Sequence, residues 1–118
     1  RIVTIGSILG TVGAAERAAY AATKGAVAAM TRSVALEVAN DGVTVNCIAP
    51  GPIRTPMNGD KNADAATLAA EAAFTASIPI SRWGTPDDIA HAAAGLLAPE
   101  AGWTTGSTVF VDGGYTAR

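Results

Sequence analysis

Tyr20 and Lys24 stand four positions apart in a stretch without proline, so on a helix they share one face. A phenol with a pKa near ~10 is a poor base at neutral pH. An ammonium roughly 4 Å away, at an effective dielectric of about 20, attracts the phenolate by ~4 kcal/mol, equivalent to a shift of up to ~3 pK units. Longer separations and solvent screening reduce the shift, yet part of it is enough to suit a phenol to proton transfer. Ala21, Ala22 and Thr23 between them leave room for a flat ligand beside that face. Taken alone, the pair also reads as an ordinary amphipathic helix start. Ser7 changes that reading. It lies thirteen residues before Tyr20, at the end of an apolar run, where a hydroxyl can donate to a carbonyl oxygen or steady the alkoxide that replaces it.

The elements that must position these groups follow from pattern and punctuation. Residues 1–7 read as a buried strand and residues 8–17 as a glycine- and alanine-rich loop. Residues 18–40 lack proline, are apolar nearly all round and predict one long helix, stopped by Asn40-Asp41-Gly42, with asparagine or glycine in the left-handed position. Residues 43–49 predict a second strand ended by Pro50-Gly51-Pro52. Residues 53–79 are bounded by prolines and irregular, with a short alanine-rich helix near residues 63–76. Thr85-Pro86-Asp87-Asp88 places a capping threonine before a first-turn proline and two carboxylates, starting a helix that runs to about Ala98. Residues 108–112 predict a third strand closed by Gly113-Gly114. Strands alternating with helices imply right-handed crossovers and a parallel sheet with helices outside. Ligands of such sheets bind beyond the carboxyl ends of the strands. Chemistry is therefore expected around Ser7, the start of the long helix and the loop from Pro50 to Thr55.

Bulk properties narrow the function classes. The 118 residues carry a net charge of −2, which leaves no basic field for nucleic acid. No apolar run reaches the ~18 residues of a membrane span. A single cysteine, Cys47, excludes an internal disulfide and suits a reducing, cytoplasmic compartment. The composition is 49% hydrophobic but only 5% aromatic, so small side chains bury little area each and predict a weak stand-alone core. With neither repeats nor a low-complexity linker, residues 1–118 read as one continuous unit. It begins in mid-strand at Arg1-Ile2-Val3, which is the expectation for part of a longer chain.

Five motifs in order resemble one family. Tyr20-Ala-Ala-Thr-Lys24-Gly25-Ala26 is similar to the Tyr-x-x-x-Lys motif of short-chain dehydrogenases/reductases, and Ile2-Val3-Thr4-Ile5-Gly6-Ser7 resembles the strand that delivers their serine. Val45-Asn46-Cys47-Ile48-Ala49-Pro50-Gly51-Pro52-Ile53-Arg54-Thr55 resembles their Val-Asn-x-x-x-Pro-Gly-x-x-x-Thr segment. Residues 83–90 and 105–114 are similar to their closing helix and strand. The resemblance covers essentially the whole chain and implies the carboxyl-terminal half of a Rossmann-type, doubly wound parallel sheet with flanking helices. It implies Tyr20 as general acid/base, Lys24 lowering its pKa and binding the nicotinamide ribose, and Ser7 polarising the substrate oxygen. The backbone after Pro50-Gly51, at Ile53, would hold the nicotinamide carboxamide, and Thr55 would bind that carboxamide or a nearby phosphate. The implied cofactor is NAD or NADP, the implied substrate a small alcohol or carbonyl compound, and the implied assembly a homotetramer with the long helix and the last helix and strand at its interfaces. Residues 53–79 would form the substrate-binding loop or lid, with Met57, Leu68 and Phe74 as candidate substrate contacts.

Thr4 and Gly6 depart from the family's usual asparagine and serine, but Ser7 keeps its position. The glycine-rich pyrophosphate turn, the residue selecting NAD or NADP and the asparagine of the proton relay are absent from the sequence; Gly10 and Gly13 follow the serine strand and do not replace the turn. The isolated chain is therefore expected to be nearly inactive. Two competing readings remain: a non-catalytic α/β fragment that needs a complementary half, and a nucleotide-binding or interaction module with an idle tyrosine–lysine pair. The remaining polar residues read blandly. His91 is a surface or interface residue, Cys47 a buried small hydrophobe, Asp87 and Asp88 helix-capping groups, Asp112 a turn former, and Arg82-Trp83 a loop or subunit contact. No metal site is expected.

Overall fold

The structure, a computed structural model, describes residues 1–56, 58 and 64–117. Three strands, β1 (Ile2–Ile5), β2 (Val45–Pro50) and β3 (Thr108–Val111), form a parallel sheet in the order β1-β2-β3. Ile2 pairs with Val45 and Ile5 with Ile48, while Cys47 pairs with Thr108 and Pro50 with Val111. Parallel neighbours need crossover connections. Helix α1 (Ala18–Glu37) makes the first, and α2 (Ala65–Ala76) and α3 (Pro86–Leu97) lie within the second. This is the α/β architecture that the sequence predicts.

The middle strand carries the core. Val45, Asn46, Cys47, Ile48 and Ala49 are all 2% exposed or less, as expected of a strand covered on both faces and paired on both edges. Its buried amide is satisfied: Asn46 Nδ2 donates to Thr104 O at 2.8 Å, and Ser107 N donates to Asn46 Oδ1 at 3.1 Å. That side chain fixes β2 to the turn that leads into β3.

β1 differs from the buried strand the sequence predicts. Ile2 is 46% and Ile5 47% exposed, because β1 sits at the sheet edge and, among the described residues, pairs with β2 alone. Helix α1 is likewise covered on one side only: Thr31 and Ala35 are buried, whereas Leu36 is 80% exposed. Its regular turns end at Glu37, earlier than expected, and a short 3-10 turn (Ala39–Asp41) follows. Gly42 takes the left-handed position (φ 70°) that costs other residues strain.

Local chemistry explains the other two helices. Asp64 Oδ1 accepts from Thr67 N at 2.8 Å to start α2. Thr85 and Asp88 form a reciprocal capping box around Pro86 to start α3, and the chain turns out of that helix at Ala98, before Pro99. The radius of gyration is 16.0 Å, against ~13.5 Å for a compact chain of this length. The extended shape fits the small core that composition predicts.

Candidate active site

Ser7 leaves β1 in extended geometry and caps a 3-10 turn (Ile8–Gly10), its Oγ accepting from Leu9 N at 3.2 Å. Accepting that bond leaves the hydroxyl proton available to an incoming oxygen. Tyr20, in the first turn of α1, is 46% exposed, and its hydroxyl has no hydrogen-bond partner among the described residues. One turn on, Lys24 Nζ donates to Ile5 O at 3.1 Å and lies 5.7 Å from the centroid of the Tyr20 ring. One of three ammonium protons is thus spent on the end of β1, and two remain.

The start of α1 has no side-chain cap at Arg17, and Glu16 precedes it at φ 62°. Tertiary contact holds it instead. A Cβ on Gly10 would lie 2.9 Å from the carbonyl carbon and oxygen of Lys24, so the absent side chain lets the serine turn press on the turn of α1 that carries Lys24. Sequence reasoning weighed Gly10 only as a phosphate-turn residue and missed this contact. The signal was the pairing of Gly10 with Gly25, whose own Cβ would meet Gly10 O at 3.5 Å.

At the end of β2, Gly51 approaches β3 so closely that a Cβ there would fall 2.7 Å from Asp112 Cα and Cβ. The chain then runs beside Gly84: Gly84 N donates to Pro52 O at 2.9 Å and Arg54 N donates to Gly84 O at 2.8 Å. In an extended segment, peptide groups alternate sides, so the N–H and C=O of Ile53 face away from Gly84. Asn58 meets that side: its Nδ2 donates to Ile53 O at 2.6 Å, and its Oδ1 accepts from Thr55 N at 2.7 Å and Thr55 Oγ1 at 3.3 Å.

These groups converge on one cleft of about 510 Å³. Ser7, Tyr20 and Lys24 line it together with Pro50, Gly51, Ile53 and Thr55, so all seven candidate catalytic and cofactor-binding residues reach it. Asn58, Trp83, Pro86 and Ile89 also line it, and sequence reasoning had not placed them there. Trp83 does pack within its loop. Its Nε1 donates to Thr75 Oγ1 at 2.9 Å, Arg54 stacks on its ring at 4.3 Å, and Phe74 meets it at 5.3 Å. Arg54 also pairs with Glu71 of α2, which ties α2 to the loop after β2. Phe74 packs on Trp83 and Tyr115, and Leu68 lies along an open groove with Glu71 and Thr75, so neither lines the cleft. Met57 lies outside the described residues.

A smaller cavity of about 250 Å³ opens near the end of β3, lined by Arg82, Asp88 and Asp112 among others. Its charges are engaged with one another and with the backbone. Hydrogen bonds from Arg82 and from Thr85 hold the Asp88 carboxyl well below its ordinary range. Partial desolvation would raise Asp112, but hydrogen bonds from the side chain and backbone of Thr116 and from Gly114 N outweigh it, leaving the carboxyl lowered. Cys47 is fully buried. His91 Nδ1 donates to Asp87 O at 2.7 Å, one turn back on α3. No helix among the described residues is long and apolar enough to cross a membrane.

The family model described as enoyl-(acyl carrier protein) reductase matches residues 1–116, and the chain belongs to the short-chain dehydrogenase/reductase family. It is 46% identical over 114 residues to the 3-oxoacyl-(acyl-carrier-protein) reductase FabG of Vibrio cholerae, covering 97% of this chain and 45% of that protein. It is 44% identical over 117 residues to an inactive 2-(S)-hydroxypropyl-CoM dehydrogenase of Xanthobacter autotrophicus, covering 98% of this chain and 51% of that protein. Among solved structures, a putative 2-deoxy-D-gluconate 3-dehydrogenase from Agrobacterium tumefaciens with bound NADP superposes with a TM-score of 0.86 at 40% identity, covering 98% of this chain and 46% of that one. The chain thus spans about half the length of the curated relatives it matches. The sheet is part of a Rossmann-type fold.

Proposed function

We propose that this chain belongs to an NAD(P)-dependent oxidoreductase acting on a small alcohol or carbonyl compound, with Tyr20 as general acid/base. The observation that carries this reading is the convergence of Ser7, Tyr20 and Lys24 with the loop from Pro50 to Thr55 on one cleft. The residues fit a nicotinamide carboxamide, because Ile53 O and the N–H and hydroxyl of Thr55 already hold a primary amide, that of Asn58. When bound, the cofactor supplies or accepts the hydride.

The chain's own residues do the rest. Ser7 donates a hydrogen bond through its free hydroxyl proton to the substrate oxygen, keeping that proton, and so aims the carbonyl carbon. In reduction, Tyr20 delivers its hydroxyl proton to that oxygen and the alcohol leaves; in oxidation, Tyr20 takes the proton back. Lys24, fixed by Ile5 O, places positive charge beside the phenol and offers its two remaining protons to the ribose hydroxyls. Pro50 and Gly51 set the turn that presents Ile53.

The 118 residues contain no glycine-rich phosphate turn. The isolated chain is therefore nearly inactive, and activity belongs to a protein of its relatives' length. The same protein is a cytoplasmic homotetramer that docks α1, α3 and β3 against copies of itself. Half-exposed Met30 on α1, Leu97 on α3 and Phe110 on β3 support that reading. Residues 53–79 serve as the substrate loop. A second reading, a non-catalytic protein with the same cleft, is favoured by one observation: a relative 44% identical is named inactive.

The test is NADH and NADPH oxidation by the intact protein against a panel of small ketones, aldehydes and 3-oxoacyl thioesters. Carbonyl-dependent oxidation supports the enzyme. Dinucleotide binding without oxidation of any panel member supports the non-catalytic reading.

A further inference from the structure

Ile53 O, Thr55 N and Thr55 Oγ1 are satisfied by one side chain, and its contacts are those of a primary carboxamide. Asn58 Nδ2 donates to Ile53 O at 2.6 Å, while Asn58 Oδ1 accepts from Thr55 N at 2.7 Å and from Thr55 Oγ1 at 3.3 Å. All three residues line the cleft with Tyr20 and Lys24. A nicotinamide carries the same functional group, a C=O acceptor and an NH₂ donor on one carbon. An incoming carboxamide and Asn58 cannot both use the single N–H of Thr55 in good geometry.

We propose that Asn58 is an internal competitor for the nicotinamide end of the cofactor: its side-chain amide occupies the carboxamide subsite and must be displaced when the nicotinamide docks. This rests on the nicotinamide reading above. Asn58 is exposed, so its amide can turn out to water and exchange protein hydrogen bonds for solvent ones at small net cost. The competitor therefore tunes affinity and does not abolish it. It also acts on one end of the cofactor only. Adenosine contacts, and phosphate contacts made away from Thr55, are untouched by it, so the effect depends on the presence of a nicotinamide.

Isothermal titration of the intact protein with NADH or NADPH, and with ADP-ribose or its 2′-phosphate as the matched ligand lacking nicotinamide, separates these contributions. Asn58→Ala removes the competitor and is expected to tighten the dinucleotide about three- to tenfold, the loss of one to two modest hydrogen bonds, with the ADP-ribose affinity unchanged. Asn58→Ser keeps a turn-forming polar residue without an amide and is expected to give the same selective gain, which covers the case where the alanine variant folds poorly. Unchanged or weaker dinucleotide binding at constant ADP-ribose affinity overturns the proposal, since Asn58 then helps or ignores the nicotinamide. Equal changes for both ligands also overturn it, as a general perturbation of the loop. No dinucleotide binding by the unaltered protein defeats the nicotinamide reading itself, and the proposal with it.

Discussion

Lys24 Nζ donates to the main-chain oxygen of Ile5 at 3.1 Å, tying the helix that carries Tyr20 to the end of the strand that delivers Ser7. The bond joins the two halves of the site across nineteen positions of sequence. Its charge-assisted donor gives it more weight than an ordinary surface contact. Lys24→Met, which keeps the length of the side chain, should lower carbonyl reduction at least ~100-fold and reduce unfolding free energy by about 1–2 kcal/mol. Steady-state kinetics and urea titration check the two effects. Full activity in the variant would contradict the role assigned to Lys24.

Asn46 is fully buried, and its amide makes two hydrogen bonds to the segment before β3, to Thr104 O and from Ser107 N. Removing it leaves Thr104 O and Ser107 N, both at part-buried contacts, without their side-chain partner. Asn46→Ala should cost about 1–3 kcal/mol, read by chemical denaturation at constant m-value. A loss below ~0.5 kcal/mol, the range of surface changes, would show that water replaces the amide.

Gly10 and Gly13 make a matched pair for testing the contact beneath Lys24. A Cβ on Gly10 meets the Lys24 carbonyl at 2.9 Å, whereas one on Gly13 meets nothing within 4 Å. Gly10→Ala should destabilise by about 1–3 kcal/mol, the usual cost of overpacking, and lower kcat by shifting Lys24. Gly13→Ala should stay within ~0.5 kcal/mol. Equal effects from both would refute the close approach.

Asp112 gives a pH dependence with a definite sign. Its folded pKa lies below the ordinary value because hydrogen bonds from Thr116 and Gly114 outweigh the opposing desolvation. A carboxyl lowered in the folded state contributes stability that is complete above its unfolded pKa near ~4 and is lost as pH falls through the folded value. The stability difference between the unaltered protein and Asp112→Asn should be constant from neutral pH to about 5 and shrink below about 4. A difference that holds constant to about pH 2 would mean the charge of Asp112 contributes nothing.

The parts of the fold written in local chemistry were legible in sequence. Thr85, Pro86 and Asp88 announce α3, Gly42 ends the region of α1, and the apolar run of β2 marks the central strand. The seven candidate site residues could be singled out, and one cleft gathers them, because they sit at the end of β1, at the start of α1 and in the turn after β2, where short motifs fix geometry. What was missed depends on tertiary partners. The exposure of Ile2 and Ile5 follows from the position of β1 at the sheet edge, which strand composition does not encode. Trp83 reaches the cleft only because Ile53 bridges to Gly84, thirty-one positions away. The amide of Asn58 turns back on Ile53 and Thr55 through a turn that no hydrophobic period reveals.

The central claim is that Tyr20 exchanges the proton in the cleft it shares with Ser7 and Lys24. Its most direct test is Tyr20→Phe in the intact protein, with cofactor affinity and single-turnover carbonyl reduction measured side by side. The account predicts a fall in the chemical step of ~10²- to 10⁴-fold or more with cofactor affinity essentially unchanged. A phenylalanine variant that reduces carbonyls at the unaltered rate would contradict it.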